Sequence, residues 1–284
     1  MRLLILACVA ALSSCMCRDL QPIADEPEQP RWMASATPHT RGVFVVVHGL
    51  NQRPSAMDPL AHYLSELGFH TYRMTLEGHR TYSDETFPAS SWKSDVRSAI
   101  AEARSRYPSL PLYLMGYSLG GLLVADVLEE DSSVEPRKIV LLAPALSLRT
   151  YVLAARALAI FPFGSLKTMS LAPPGYRRFR NTPLFWYENT MDLYDETASR
   201  PAPVRLRRVP ALIVVSPDDE LVSPPGLREW VDANSLPPAW QVELIEPQPH
   251  DERLHRHLIV DRVSLGDAEW QRLQDMLKAF LADS

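Results

Sequence analysis

The chain has 284 residues, 46% of them apolar and 22% charged, and a net charge of −5. That acidic balance, without a basic run, argues against a nucleic-acid surface. Three cysteines are too few for a disulfide-stapled scaffold, and no internal repeat is visible.

The N-terminal fourteen residues carry Arg2 and then an apolar run ending in small residues. The run is too short to span a bilayer as a helix and reads as a secretion signal. Leu12-Ser13-Ser14-Cys15 resembles the bacterial lipobox, which implies that Cys15 becomes a lipidated first residue and membrane anchor. Cys8 would leave with the signal and Cys17 has no protein partner. Losing residues 1–14, which hold Arg2 and no acid, takes the net charge from −5 to −6. Residues 15–40 then read as a lipidated tether. Pro22, Pro27, Pro30 and Pro38 disfavour regular structure there, and Asp19, Asp25, Glu26 and Glu28 favour solvation. At about 3.1 Å per residue, residues 18–40 of that tether reach roughly 70 Å.

Residues 41–284 suffice for one α/β domain with a sizeable core. Val43-Phe44-Val45-Val46-Val47 is β-branched and aromatic, as in a buried parallel strand. Helical spacing over 55–67 leads to a strand at 70–75, a helix at 90–107 and a strand at 112–116. Lys138 to Ala143 predicts another strand, as do 211–215 and 240–245, and a helix over 267–281 closes the chain. Alternating βα units predict a mostly parallel sheet covered on both faces. Some 67 residues separate the strands at 138–143 and 211–215, too many for a loop. This insertion, about 147–210, is rich in apolar and aromatic side chains, including Tyr151, Phe161, Phe163, Tyr176 and Phe179. Phe185, Trp186 and Tyr187 are the candidates to line a pocket. Arg177, Arg178 and Arg180 read as a solvated face or a site for phosphate or lipid headgroups.

Gly116-Tyr117-Ser118-Leu119-Gly120 decides the function. A G-x-S-x-G pattern is weak alone, but here a strand precedes it and a helix follows, as a serine presented on a sharp strand-to-helix turn requires. Upstream, the strand at 43–47 runs into His48-Gly49-Leu50-Asn51. With these segments the chain resembles the α/β-hydrolase superfamily, in its carboxylesterase and monoacylglycerol-lipase-like branch. The resemblance implies Ser118 as nucleophile and the backbone N–H groups of Leu50 and Leu119 as oxyanion donors, with the insertion as a cap. His48 itself reads as structural. In the family order an acid and then a histidine follow the serine. Asp219-Glu220-Leu221-Val222 resembles the family's D-x-x-V, which implies Asp219, with Asp218 as the alternative. His257-Leu258-Ile259-Val260-Asp261 implies His257 as base, with His255 and His250 behind it. Thr75 to Arg80 departs from the family's D-x-rGHG-x-S segment.

The histidine cluster matches no zinc spacing, and Gly116 to Gly121 lacks the Lys of a phosphate loop. No metal or cofactor is therefore expected. The expectation is a serine hydrolase cleaving esters of lipid or small acyl substrates from a lipid-anchored position in a bacterial cell envelope. Thioester, amide or acyl-transfer chemistry on the same residues is the alternative within enzymes. A non-catalytic envelope lipoprotein is the alternative outside them.

Overall fold

Each apolar run that predicts a strand becomes a strand of one seven-stranded sheet. In the computed structural model the described residues are 28–81, 85–156, 167–170, 172–200, 202, 204–249, 251 and 254–282. In chain order the strands are β1 (Arg31–Met33), β2 (Gly42–Val47), β3 (Phe69–Arg73), β4 (Leu112–Tyr117), β5 (Lys138–Leu142), β6 (Lys167–Met169), β7 (Asn181–Pro183), β8 (Ala211–Val215) and β9 (Trp240–Leu244). The main sheet has the order β1-β3-β2-β4-β5-β8-β9, parallel throughout except for β1 on β3. The helices are α1 (Asp58–Glu66), α2 (Ala89–Arg106), α3 (Leu119–Glu130), α4 (Thr150–Arg156), α5 (Leu184–Ser199), α6 (Pro224–Ala233), α7 (Arg262–Leu265) and α8 (Asp267–Leu281).

Side chains alternate across a strand, so β2 and β4 feed two cores at once. Val43, Val45, Val47, Leu112 and Leu114 pack with Trp92, Val96 and Leu122 of α2 and α3. Phe44, Val46, Tyr113 and Met115 pack on the other face with Leu60 and Leu64 of α1 and Leu273 and Leu277 of α8. The leucines at 273, 277 and 281 recur every fourth residue and form the buried stripe of α8. Among the described residues no helix is long and apolar enough to cross a membrane.

The expected tether runs too far. Arg31–Met33 pairs antiparallel with β3, so ordered structure begins ahead of Arg41. Trp32 stacks on Tyr72 at 4.5 Å and meets Tyr107 edge-on at 5.5 Å, contacts that outweigh the local proline signal. Glu28 is tied as well, its Oε1 accepting from the Ser55 hydroxyl at 2.6 Å. Residues 1–27, with Cys8, Cys15 and Cys17, lie outside the described residues, as do Phe161 and Phe163.

Between β5 and β8 the insertion folds over the carboxyl ends of the strands. It supplies α4, a two-stranded antiparallel ribbon of β6 and β7, α5, and a 3-10 turn at Val204–Arg208. α5 packs on α2 and α3.

α3 meets the ends of β2 and β4 at a tight junction. A Cβ on Gly120 would lie 2.4 Å from the Val47 carbonyl oxygen and 2.7 Å from that of His48. Both obstacles are backbone and cannot swing aside. Gly120→Ala is therefore expected to lose about 2 kcal/mol or more of stability in urea denaturation, the range for overpacking a rigid site. An unchanged midpoint and slope would refute this reading of the junction.

Candidate active site

The turn between β4 and α3 holds Ser118 at φ 52, ψ −116, backbone territory that costs an L-residue about 1–3 kcal/mol. Surrounding hydrogen bonds maintain it. The Ser118 N–H donates to the Leu142 carbonyl at 2.9 Å, and the Ser118 carbonyl accepts from Gly121 and Ala145 at 3.0 and 3.1 Å. Glycine at 116 and 121 lets the helix close on the strand, since a Cβ there would meet Gly120 oxygen at 2.4 Å or Pro144 Cβ at 2.7 Å.

Ser118 Oγ lies 2.9 Å from His257 Nε2, and His257 Nδ1 lies 2.8 Å from Asp219 Oδ2. Asp219 is fully buried, and its Oδ1 accepts the backbone N–H groups of Leu221 and Val222, both at 2.8 Å. Burial pushes its carboxyl up. The facing His257 and the amides of Val222 and Leu221 outweigh that and hold it below the usual carboxylate range. An ionised Asp219 accepts the Nδ1 proton, so Nε2 is free to accept from the serine hydroxyl. Asp218 is exposed on the same turn. His255 is half exposed and 4.0 Å from Glu220. His250 lies outside the described residues. Of the candidates weighed in the sequence, the structure thus brings together Ser118, His257 and Asp219.

Residues 48–52 form the facing loop, and two buried histidines hold it. His48 donates from Nδ1 to the Gly49 carbonyl at 2.8 Å and accepts the Leu76 N–H at Nε2 at 3.1 Å. His79 does the same between the Glu77 carbonyl at 3.1 Å and the Asn51 N–H at 3.0 Å. Burial drives both rings toward the neutral form, His48 down to about 3 and His79 well below its ordinary value. An unfolded chain protonates histidine below about pH 6.5. The stability these rings contribute is therefore complete above that value and is lost as pH falls toward about 3. The Leu50 and Leu119 N–H groups have no hydrogen-bond partner among the described residues, and both residues line the cavity in front of Ser118.

That cavity has a volume of about 390 Å³ and a mostly apolar lining that includes Leu148, Val152, Met191, Leu221 and Leu258. Of the three aromatics expected to line it, only Tyr187 does. Phe185 and Trp186 are 7% and 3% exposed and belong to the core. The phase of α5 decides this. Tyr187, Thr190 and Met191 share the face toward the cavity, while Trp186 stacks on His79 at 4.4 Å. The arginine face also needs correction. Arg178 is 2% exposed, and its Nε and Nη2 donate to the carbonyls of His79 and Arg80, both at 2.8 Å.

Sequence reading missed the residues that join the insertion to the site. Asn51, at φ 47, gives its side chain to the Phe179 carbonyl, the Phe179 N–H and the Thr182 hydroxyl at 3.0, 2.9 and 2.8 Å. Arg149 donates to the Asp219 and Pro217 carbonyls at 2.5 and 3.2 Å. The Tyr176 hydroxyl reaches both oxygens of Asp261, which caps α7, at 2.9 Å. The only sequence signal for any of these is the unusual Asn after His-Gly-Leu. One acidic cluster, Asp126, Glu130 and Glu196, has the spacing to hold a cation. Lys93 Nζ already lies 2.9–3.4 Å from all three, so it is an ion-pair network.

A parallel sheet with a serine elbow, a buried acid–histidine pair and a capping insertion defines an α/β-hydrolase. Residues 38–251 match the sequence model of the Hydrolase_4 family, serine aminopeptidase S33, and the chain belongs to that family. A monoglyceride lipase of Mus musculus is 28% identical over 95 residues, which is 32% of this chain and 31% of the mouse protein. The match thus spans about a third of that relative's length. A metagenome-derived lipolytic enzyme of the LipS and LipT pair superimposes with a TM-score of 0.68 at 22% identity, covering 91% of this chain and 98% of the other. A monoacylglycerol lipase of Paleococcus ferrophilus gives 0.67 at 18% identity, covering 94% and 100%. At these identities the structural likeness speaks for the fold.

The histidine hydrogen bonds carry a direct test. Across pH 5 to 8, long-range ¹H–¹⁵N spectra are expected to show His48 and His79 as neutral Nδ1–H rings that do not titrate. Protonation of either ring inside that window would contradict the arrangement.

Proposed function

We propose that the protein is a serine hydrolase of carboxylic esters, acting on lipid or small acyl esters. The observation that carries this reading is the 2.9 Å approach of Ser118 Oγ to His257 Nε2 at the wall of an apolar cavity. In this mechanism Ser118 Oγ attacks the ester carbonyl carbon while its proton passes to His257 Nε2. Asp219 holds the Nδ1 proton and stabilises the imidazolium without itself being protonated. The Leu50 and Leu119 amides receive the oxyanion, a contribution of several kcal/mol from preorganised donors. Collapse breaks the C–O bond, and His257 returns its proton to the departing alcohol. A water then gives its proton to His257 and attacks the acyl-enzyme carbonyl; the bond to Ser118 Oγ breaks, His257 returns that proton to Oγ, and the carboxylic acid leaves. The apolar lining suits an acyl chain, and the names of the mouse and archaeal relatives point to monoacylglycerol-type esters.

Amide cleavage is the second reading, favoured by the family's description as a serine aminopeptidase. The same residues would act, so matched ester, thioester and amide substrates separate the two. Expected is a clear preference for the ester, and amide-only turnover would reverse the choice.

A fluorophosphonate is expected to label wild type at Ser118 and to leave Ser118→Ala unlabelled, with ester kcat lowered by about 10⁶ in the variant. Retained turnover in Ser118→Ala, with the variant folded by circular dichroism, would exclude the mechanism.

The envelope location belongs to the same proposal and rests on the Leu12 to Cys15 segment. Expected is incorporation of an alkyne palmitate by cells expressing the chain, lost in Cys15→Ala together with membrane association. Unchanged membrane fractionation of Cys15→Ala would remove the anchor from the reading.

A further inference from the structure

Residues 245–261 carry His257 from the end of β9 to α7, a long loop for a side chain that must be aimed closely. Downstream of His257 the loop is secured, because Leu258, Ile259 and Val260 are buried. The His257 carbonyl accepts the Tyr117 hydroxyl at 3.2 Å. Upstream the situation differs. His255 is half exposed, and the Arg256 side chain turns back to the Pro247 carbonyl. The two backbone N–H groups leading into the imidazole meet one carboxylate. Glu220 Oε1 accepts the Arg256 N–H at 2.8 Å, and Oε2 accepts the His257 N–H at 2.9 Å.

We propose that Glu220 is a positioning residue, whose two oxygens fix the two peptide groups on either side of Arg256 so that the imidazole stays on the line from Ser118 to Asp219. The inference rests on the hydrolase reading and adds a residue to it. Charge-assisted bonds from a carboxylate to backbone amides are about twice as strong as neutral ones. Two of them on successive amides fix two neighbouring peptide groups, and so the direction of the backbone that leads into His257. Glu220 also follows Asp219 directly, and Asp219 is itself tied to the Leu221 and Val222 amides. One short turn therefore holds both the proposed acid and the backbone of the base. Misplacing a reacting group by about 1 Å can cost about 10²-fold in rate, so such a clamp has kinetic weight. The charged and titratable groups facing His257 are Asp219 and Glu220 from the acid turn, Tyr117 from β4, and His255 and Arg256 on its own loop. Arg149 of the insertion acts through the Asp219 carbonyl.

The test compares the full-length chain with Glu220→Ala and Glu220→Gln on p-nitrophenyl butyrate, each normalised to fluorophosphonate-titrated sites. The neighbouring exposed carboxylate provides the control, as Asp218→Asn. Expected is a fall in kcat of about 10- to 100-fold for Glu220→Ala with KM within about twofold. Glu220→Gln, which keeps one acceptor but sets an NH₂ against the second amide, should fall less. Both remove a negative charge near the imidazole, so the acid limb of kcat/KM should move to lower pH. Asp218→Asn should match wild type in kcat. Retention of kcat within twofold in Glu220→Ala would overturn the proposal. So would a loss of activity that merely tracks the number of titratable sites, with the acid limb unmoved. Amide hydrogen exchange supplies a readout that needs no turnover. Faster exchange at Arg256 and His257 in Glu220→Ala is expected, and wild-type protection there would refute the clamp. A wild type that fails to react with fluorophosphonate would count against the hydrolase reading, while exchange would still decide the clamp.

Discussion

The backbone of Ser118 is the constraint on which the rest of this structure depends. A non-glycine residue at φ 52, ψ −116 is unfavourable alone and persists only where its surroundings over-determine it. Here the surroundings are the ends of three parallel strands. The Ser118 N–H is taken by Leu142 at the end of β5, and Gly120 lies against the carbonyls of Val47 and His48 at the end of β2. The strained turn is thereby wedged into the sheet. Its consequence is directional: Ser118 and Leu119, the first residue of α3, both line one cavity. That also explains why glycines rather than polar residues surround the serine, since any Cβ would push α3 away from the strand that orients it.

The insertion is part of this frame. Through Asn51 it grips the loop before the serine, through Arg149 the turn that bears Asp219, and through Tyr176 the cap of the helix after His257. Three loops from separate strands thus share one partner, and a change in the insertion's seating would be felt at all of them. On its far side α5 is held to α2 and α3 by a charge network. Lys93 lies among Asp126, Glu130 and Glu196, and Arg200 reaches Asp126 at 3.1 Å and Glu130 at 3.0 Å. Asp126 is the buried member while Glu130 and Glu196 are exposed, and ion pairs with exposed partners contribute little to stability. Their contribution lies in fixing how α5 is rotated, and that rotation sets which side chains of α5 meet the cavity.

How far the sequence could be read follows the range of the interactions. Val43–Val47, Leu112–Met115 and Ala211–Val215 are apolar because they are buried on both faces, so local composition reveals them. The segments bearing Ser118 and Asp219 follow such runs directly, whereas β9 is partly exposed and His257 lies well beyond it, so that choice rests on the family resemblance of residues 257–261. β1 was not readable, because three residues give no period to detect and neighbouring prolines argue for a coil, while Trp32 is held by partners about 40 and 75 residues away. The aromatics of α5 show a second limit. Phe185, Trp186 and Tyr187 are consecutive, and about 100° of rotation per residue sends them to different environments. Composition records that they are aromatic, and only the packing of α5 says which one meets the substrate cavity. Asn51, Arg149 and Glu220 share a third limit, since each acts on backbone groups distant in the chain, and such bonds leave no pattern in sequence.

The two buried histidines show why neutrality matters near the proposed oxyanion site. An imidazole that donates at one nitrogen and accepts at the other can span two loops, and His48 and His79 both do so between residues 48–52 and 76–79. A protonated ring has two donors and no acceptor, so it could not receive the Leu76 or Asn51 N–H groups. Burial removes that state, and the stacked Trp186 and the contact between the rings at 4.6 Å keep water from restoring it. With the Asn51 N–H taken by His79 and the Gly49 N–H by Gln52, the Leu50 N–H is left as a backbone donor for a ligand, beside the unpaired Gln52 side-chain amide. The loop thus achieves selectivity by occupying its neighbours, a task for polar groups that are buried, uncharged and fully hydrogen-bonded.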